Sequence, residues 1–146
     1  MKNLFFIFLF LITIQVNDYG QTKSKFKVYI VYNFDDYVKG GNVAKSHLER
    51  ELRMLGDVEL IQKEEYLKSA NVFALDIALV TNILEDKTII GYVMFAVFTA
   101  KLNKSPDTYP VYLGSSWAKG NKDKWEFITS SIIAEFDQGI LRNYRR

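Results

Sequence analysis

The chain has 146 residues, 49% of them hydrophobic and 25% charged, with two prolines and no cysteine. This size and balance are typical of one folded domain and exclude an intrinsically disordered, collagen-like or linker-dominated chain. A net charge of +2 is not typical of a nucleic-acid-binding protein. Without cysteine, neither a disulfide nor a thiolate metal ligand can form.

The first twenty residues have the layout of a secretory signal peptide. Lys2 is followed by an apolar run, 4–14, which a single threonine interrupts before the sequence turns polar. A permanent transmembrane helix needs about 20 apolar residues, so this run is short for a span, and an uncleaved anchor is the alternative. We predict a signal peptide over 1–20 and a single domain over 21–146. The predicted location is periplasmic or secreted, without stable membrane insertion after cleavage.

The first half of the remaining chain predicts alternating strands and helices. A continuous apolar run, 26–34, is typical of a strand that is covered on both faces. Asn42 is a favourable helix N-cap, and apolar residues recur at helical spacing from Ala44 to Leu55, before a C-cap at Gly56. A short strand over 58–61 and one or two helical turns over 63–70 follow.

The second half has the period of a β-hairpin. Large and small side chains alternate over 72–81, and the same alternation returns over 88–100. This pattern favours two antiparallel strands joined by the segment between them. A further strand is predicted over 109–117, where Pro110 favours an edge position or the beginning of a strand.

The closing segment predicts an amphipathic helix. Asp123 and Glu126 have the spacing of a capping box at its start. Its apolar positions are Trp125, Ile128, Ile132, Ile133, Phe136 and Ile140. The predicted fold class is α/β (α+β), with a mixed sheet of about five strands, two main helices and the order β-α-β-(short α)-β-β-β-α. Both two and three layers are compatible with this order.

Few side chains qualify for metal or hydrolytic chemistry. His47 is the single histidine, and we interpret it as a structural residue beside the apolar face of the first helix. The glycine-flanked serine motif of hydrolases is absent from the sequence. Asp35 and Asp36 follow the first strand without a glycine-rich phosphate-binding motif, so we interpret them as part of a solvated loop. No cofactor is expected.

One enzymatic alternative rests on the hairpin. Asp76, Glu85 and Lys87 have the D…E-x-K spacing with which a large group of nucleases binds a divalent ion. The alternative function is therefore a secreted metal-dependent nuclease or hydrolase. Against it, Asp76 lies within a predicted strand and the other two in the predicted turn, about five residues away at roughly 3.3 Å each. A buried Asp76 bonded to a backbone amide or a lysine is the simpler interpretation.

The binding hypothesis centres on the last predicted strand. Trp117 ends that strand beside two serines and near a glycine, where a tryptophan is typical of a contact residue. Tyr112, Ser115 and Ser116 complete the predicted interaction surface. An edge strand can also recruit a partner by strand addition. The expected partner is another protein, whose identity the sequence leaves open, as it does the oligomeric state.

The pattern as a whole resembles the periplasmic α/β domains of the TolB N-terminal, LpoB and CsgG type. The resemblance rests on KVYIVYNFDD, VAKSHLERELRMLG, VELI and KEEYLKSA, with the hairpin and the closing helix after them. It covers nearly all of the chain after the leader, and it implies a non-catalytic cell-envelope module that binds other envelope proteins. The lipid-accepting cysteine of LpoB and CsgG, the TolB propeller and the strands of a CsgG pore have no counterpart in this sequence, so the resemblance implies neither lipid anchoring, nor pore formation, nor a particular partner.

Overall fold

The computed structural model describes residues 25–34, 40–102 and 109–145. The predicted signal peptide and Asp35 and Asp36 lie outside the described residues. No helix within the described ranges is long and apolar enough to span a bilayer. The strands are β1 (Phe26–Tyr32), β2 (Val58–Leu60), β3 (Val72–Ile83), β4 (Ile89–Lys101) and β5 (Val111–Asn121). The helices are α1 (Gly41–Met54), α2 (Lys63–Lys68) and α3 (Trp125–Glu135), the last followed by a π-helical turn (Phe136–Ile140) and a 3-10 turn (Leu141–Tyr144).

The strands form one mixed sheet of order β2-β1-β3-β4-β5. β1 pairs in parallel with both β2 and β3, whereas β4 and β5 follow as antiparallel neighbours. The predicted five-stranded α/β fold and its element order are confirmed. The β3–β4 hairpin is also confirmed, and β5 lies at an edge of the sheet as Pro110 indicated.

Both main helices lie on one face of the sheet, which we call the inner face. Alternate residues of β3 and β4 point towards them, as the period of two predicted. The buried cluster includes Phe73, Leu75, Ile77, Met94 and Phe98 from the sheet, Leu48 and Leu52 from α1, and Ile128, Ile132 and Ile133 from α3. Because α1 and α3 also contact each other, they form a single helical layer on this face.

The two ends of α1 differ in how well the sequence predicts them. Gly56, just past the helix, has the positive φ of 76° that a C-terminal glycine provides, as predicted. The N-cap is Gly40, with a φ of 90°, and Asn42 lies inside the first turn. The prediction of an Asn42 cap was wrong because the left-handed glycine already sets the boundary two residues earlier.

The start of α3 also differs from the predicted capping box. The helix begins at Trp125, and its N-cap is Lys124, which makes no side-chain capping hydrogen bond. The spacing of Asp123 and Glu126 therefore does not produce a reciprocal cap. Glu126 instead accepts a hydrogen bond from Arg50 of α1 at 3.2 Å, so its carboxylate links the two helices.

Candidate interaction surface

The opposite side of the sheet, the outer face, is covered only in part by the helices of the described chain. The short helix α2 lies over β1, where the ring of Tyr66 stacks on Tyr29 with centroids 5.0 Å apart. Beside this stack, Lys27 Nζ donates a hydrogen bond to Glu65 at 2.6 Å. These contacts cover the outer face at β1 and leave it open over much of β3, β4 and β5.

The open part of the outer face carries a group of exposed apolar side chains. The register places Phe95 of β4 directly opposite Trp117 of β5. On the other side of β4, the same Phe95 pairs with Ala78 of β3. The group, which we call the apolar patch, consists of Val80, Phe95, Val97, Tyr112 and Trp117, all exposed.

Two rings of the apolar patch are direct neighbours across β4 and β5. Directly opposite residues of antiparallel strands have Cβ atoms about 4.5–5.5 Å apart, so Phe95 and Trp117 are close neighbours. Their side chains are 45% and 61% exposed, and Tyr112 is 63% exposed. With roughly 150–250 Å² for each aromatic side chain, the three rings present about 350 Å² to solvent. Apolar patches of this size on a monomer are often functional.

Polar groups border the apolar patch. The hydroxyl of Tyr112 donates a hydrogen bond to Ser115 Oγ at 3.1 Å. Towards the hairpin turn, a shallow pocket of about 360 Å³ is lined by Asn82, Lys119 and Asn121 around glycine backbone. An apolar centre with a polar rim is the usual anatomy of a protein-binding surface.

Three of the four residues predicted for interaction lie on this face. Trp117, Tyr112 and Ser115 point outwards, whereas Ser116 lies opposite the buried Ala96 and belongs to the inner face. Trp117 is also not at the end of its strand, because β5 continues to Asn121. The open outer face thus carries the predicted tryptophan in the middle of a strand.

Sequence reasoning missed the β4 and β3 members of the apolar patch. Phe95, Val97 and Val80 have the alternation of strand residues, and nothing in that alternation tells which face a helix will cover. The missing information is the placement of α1 and α3 on the same face. With both helices on the inner face, large side chains on the other face of β4 stay exposed.

The residues of the nuclease-type spacing are not brought together. Asp76 lies half-buried in the middle of β3, opposite Val97. Glu85 and Lys87 are exposed in the turn after β3, whose last residue, Ile83, is already roughly 23 Å beyond Asp76 at about 3.3 Å per residue. Among the described residues, no three His, Cys, Asp or Glu side chains are grouped so that they could hold a metal ion.

Asp76 has a different neighbour, on α2. Burial raises the pKa of Tyr66, and the negative charge of Asp76 adds to this rise. The carboxylate is therefore close enough to oppose ionisation of the phenol. This places Asp76 at the border between the covered and the open parts of the outer face.

His47 is half-buried on α1. Its Nδ1 atom is buried and has no hydrogen-bond partner within the part of the chain that the structure describes. That nitrogen is thus shielded from solvent by the packing around the helix. The sequence-based interpretation of His47 as a structural residue stays a prediction.

The fold and this surface define an α/β domain with the two main helices on one face of the sheet and a partly open opposite face. No family model matches the chain, and no curated protein matches its sequence. Among solved structures, it is similar to the PelC dodecamer from Paraburkholderia phytofirmans, with 19% identity over 77% of this chain and 83% of that one, at a TM-score of 0.46. It is also similar to rare lipoprotein B from Shewanella oneidensis, with 13% identity over 81% of this chain and 96% of that one, at a TM-score of 0.37. Both similarities concern the arrangement of helices and strands, and they do not single out the TolB or CsgG type.

Proposed function

We propose that the chain is an exported, non-catalytic module of the cell envelope that binds another envelope protein through the apolar patch. The observation that carries the proposal is the pair of large exposed rings, Phe95 and Trp117, directly opposite each other on the open sheet face. Burying apolar surface of this kind contributes about 25 cal/mol for each Å². Tryptophan is also prominent among the residues that dominate binding energy at protein interfaces.

The envelope location in this proposal has its own support. The apolar run after Lys2 has the layout of a signal peptide. The element order resembles the periplasmic domains of the TolB, LpoB and CsgG type, which implies binding to envelope proteins. The metal-dependent nuclease or hydrolase is not proposed, because no observation brings Asp76 near Glu85 and Lys87.

Trp117→Ala is expected to weaken capture of the envelope partner by at least about tenfold, as loss of a central aromatic contact does. The tagged chain would carry a photo-cross-linking amino acid in place of Lys119, at the rim of the apolar patch. Irradiation in envelope extracts would yield covalent adducts, of which only the adduct with a different polypeptide, distinguished by its mass from two copies of this chain, is counted. The measurement is the yield of that adduct for the Trp117→Ala chain, compared with the yield for the chain that keeps Trp117.

The matched control is Phe127→Ala. Phe127 is 59% exposed, almost the same as Trp117 at 61%, but it lies on α3 and not on the outer face. We expect the same adduct yield as without this substitution. Equal yields for Trp117→Ala and Phe127→Ala would contradict binding through the apolar patch.

A further inference from the structure

We propose that β5 pairs with β5 of a second copy of this chain, so that two copies form an antiparallel dimer with two-fold symmetry. This inference rests on the proposed function, because the second copy binds directly beside the apolar patch. The two edges of the sheet differ greatly in length. β2 has 3 residues, whereas β5 has 11. Along one side of β5, the backbone N–H and C=O groups face no other strand of the described sheet. A long edge of this kind is a template for pairing with another strand.

The middle of β5 lacks the features that usually protect an edge strand. Such protection comes from charged side chains, prolines and bulges. In this chain Pro110 precedes the strand, and a register shift at Phe98 and Thr99 leaves Leu113 as an extra residue near its start. Lys119, the only charged residue of β5, lies near the other end. From Gly114 to Ala118 the edge is free of all three features.

The sequence of this unprotected segment is complementary to itself. In this antiparallel pairing, Ser116 lies opposite Ser116 of the second copy, at the two-fold axis. Because the side-chain period of a strand is two, outer-face residues of one copy then lie beside outer-face residues of the other. Trp117 then lies opposite Ser115 of the second copy, and Ala118 lies opposite Gly114, so each larger side chain meets a smaller one. The two Trp117 rings are diagonal neighbours about 7–8 Å apart, a distance that aromatic side chains span.

Charge is compatible with the same pairing. Lys119 is three residues from Ser116, so the two Lys119 side chains lie roughly 20 Å apart, on opposite sides of the axis. A parallel pairing in register would instead place these ammonium groups side by side. The antiparallel arrangement therefore avoids like-charge repulsion within the strand pair.

The area available predicts a weak dimer. A standard interface buries about 800 Å² from each partner, and smaller ones belong to transient complexes. The rings of the apolar patch expose about 350 Å², and edge pairing buries only their flanks together with the backbone of β5. The rest of each patch stays open, so the dimer presents two adjoining patches to an envelope partner.

Because the sequence has no cysteine, a thiol-specific cross-linker reacts only with a cysteine that is introduced by substitution, so the dimer can be tested one position at a time. Ser116→Cys places a thiol at the axis, and Lys119→Cys places one roughly 20 Å from its copy. Ser46→Cys introduces an exposed thiol on α1 as a control for random collision. With a short thiol cross-linker, we expect about tenfold more covalent dimer for Ser116→Cys than for the other two chains, since only residues at the axis face their own copies.

Three results would overturn the dimer. They are equal cross-linking at all three positions, no covalent dimer at any position, and cross-linking of Ser116→Cys only to a different polypeptide in envelope extracts. Sedimentation of the cysteine-free chain is expected to show a mass that rises towards two copies with concentration. A monomer at every concentration would refute the dimer but not the proposed function, which the comparison of Trp117→Ala with Phe127→Ala tests separately.

Discussion

Phe136→Ala is expected to lower the free energy of unfolding by about 3–5 kcal/mol. The ring of Phe136 is fully buried, at the point where α3 passes into its π-helical turn. It packs edge-on against Phe73, with centroids 6.0 Å apart, and at a tilt against Phe98 at 5.4 Å. Truncation removes both aromatic contacts and leaves a cavity between the helix and the sheet. Chemical denaturation followed by circular dichroism measures the loss.

Phe127→Ala is again the matched control, now for stability. It removes the same kind of side chain, but from a position on α3 that is 59% exposed. We expect a change within about 0.5 kcal/mol, as for surface substitutions in general. If Phe136→Ala were no less stable than Phe127→Ala, the π-helical turn would not be part of the core.

Gly40→Ala is the second substitution for which a large effect is expected, about 3 kcal/mol of lost stability. Gly40 has a φ of 90°, and a Cβ atom there would lie 2.4 Å from Cζ2 of Trp125. Left-handed backbone costs a residue with a Cβ about 1–2 kcal/mol. The overlap adds to this cost, because Trp125 packs against Tyr92 at 4.2 Å between centroids and cannot move without disturbing that contact. Thermal and chemical unfolding measure the loss.

Gly56→Ala separates the cost of the left-handed backbone from the cost of the overlap with Trp125. Gly56 also has a positive φ, 76°, but a Cβ atom there would have no neighbour within 4 Å. Only the backbone cost remains, so we expect a loss of about 1 kcal/mol. Equal losses for the two glycine substitutions would show that Trp125 does not limit the space at Gly40.

The elements of the fold were predictable because hydrophobic periodicity reports burial. The alternation over 72–81 and 88–100 located the hairpin, and the spacing of Ala44, Leu48 and Leu52 located α1. The starts of the helices were harder to predict, because the N-cap residues Gly40 and Lys124 lack the side-chain oxygen by which an N-cap is recognised in a sequence.

The candidate site was predicted only in part, for a related reason. Periodicity assigns a residue to one face of its strand but does not tell which face the helices cover, so Phe95 and Val97 carried no sign of exposure. The second half of β5 is polar and glycine-rich, and such a segment gives no hydrophobic signal to extend a strand beyond Trp117. Its pairing with β4 becomes evident only in the register.

The interior position of β1 has a consequence for how the chain reaches its fold. β1 is synthesised before both of its neighbours, β2 and β3, and it can satisfy its two edges only when they arrive. The β3–β4 and β4–β5 pairs, by contrast, join antiparallel strands that follow one another directly in the element order, and such local contacts form fastest. Until β2 and β3 have been synthesised, the segment FKVYIVY of β1 has two unpaired edges. Unpaired strand edges make a folding chain prone to aggregate. β1 is therefore the strand that waits longest for both of its partners while the chain folds.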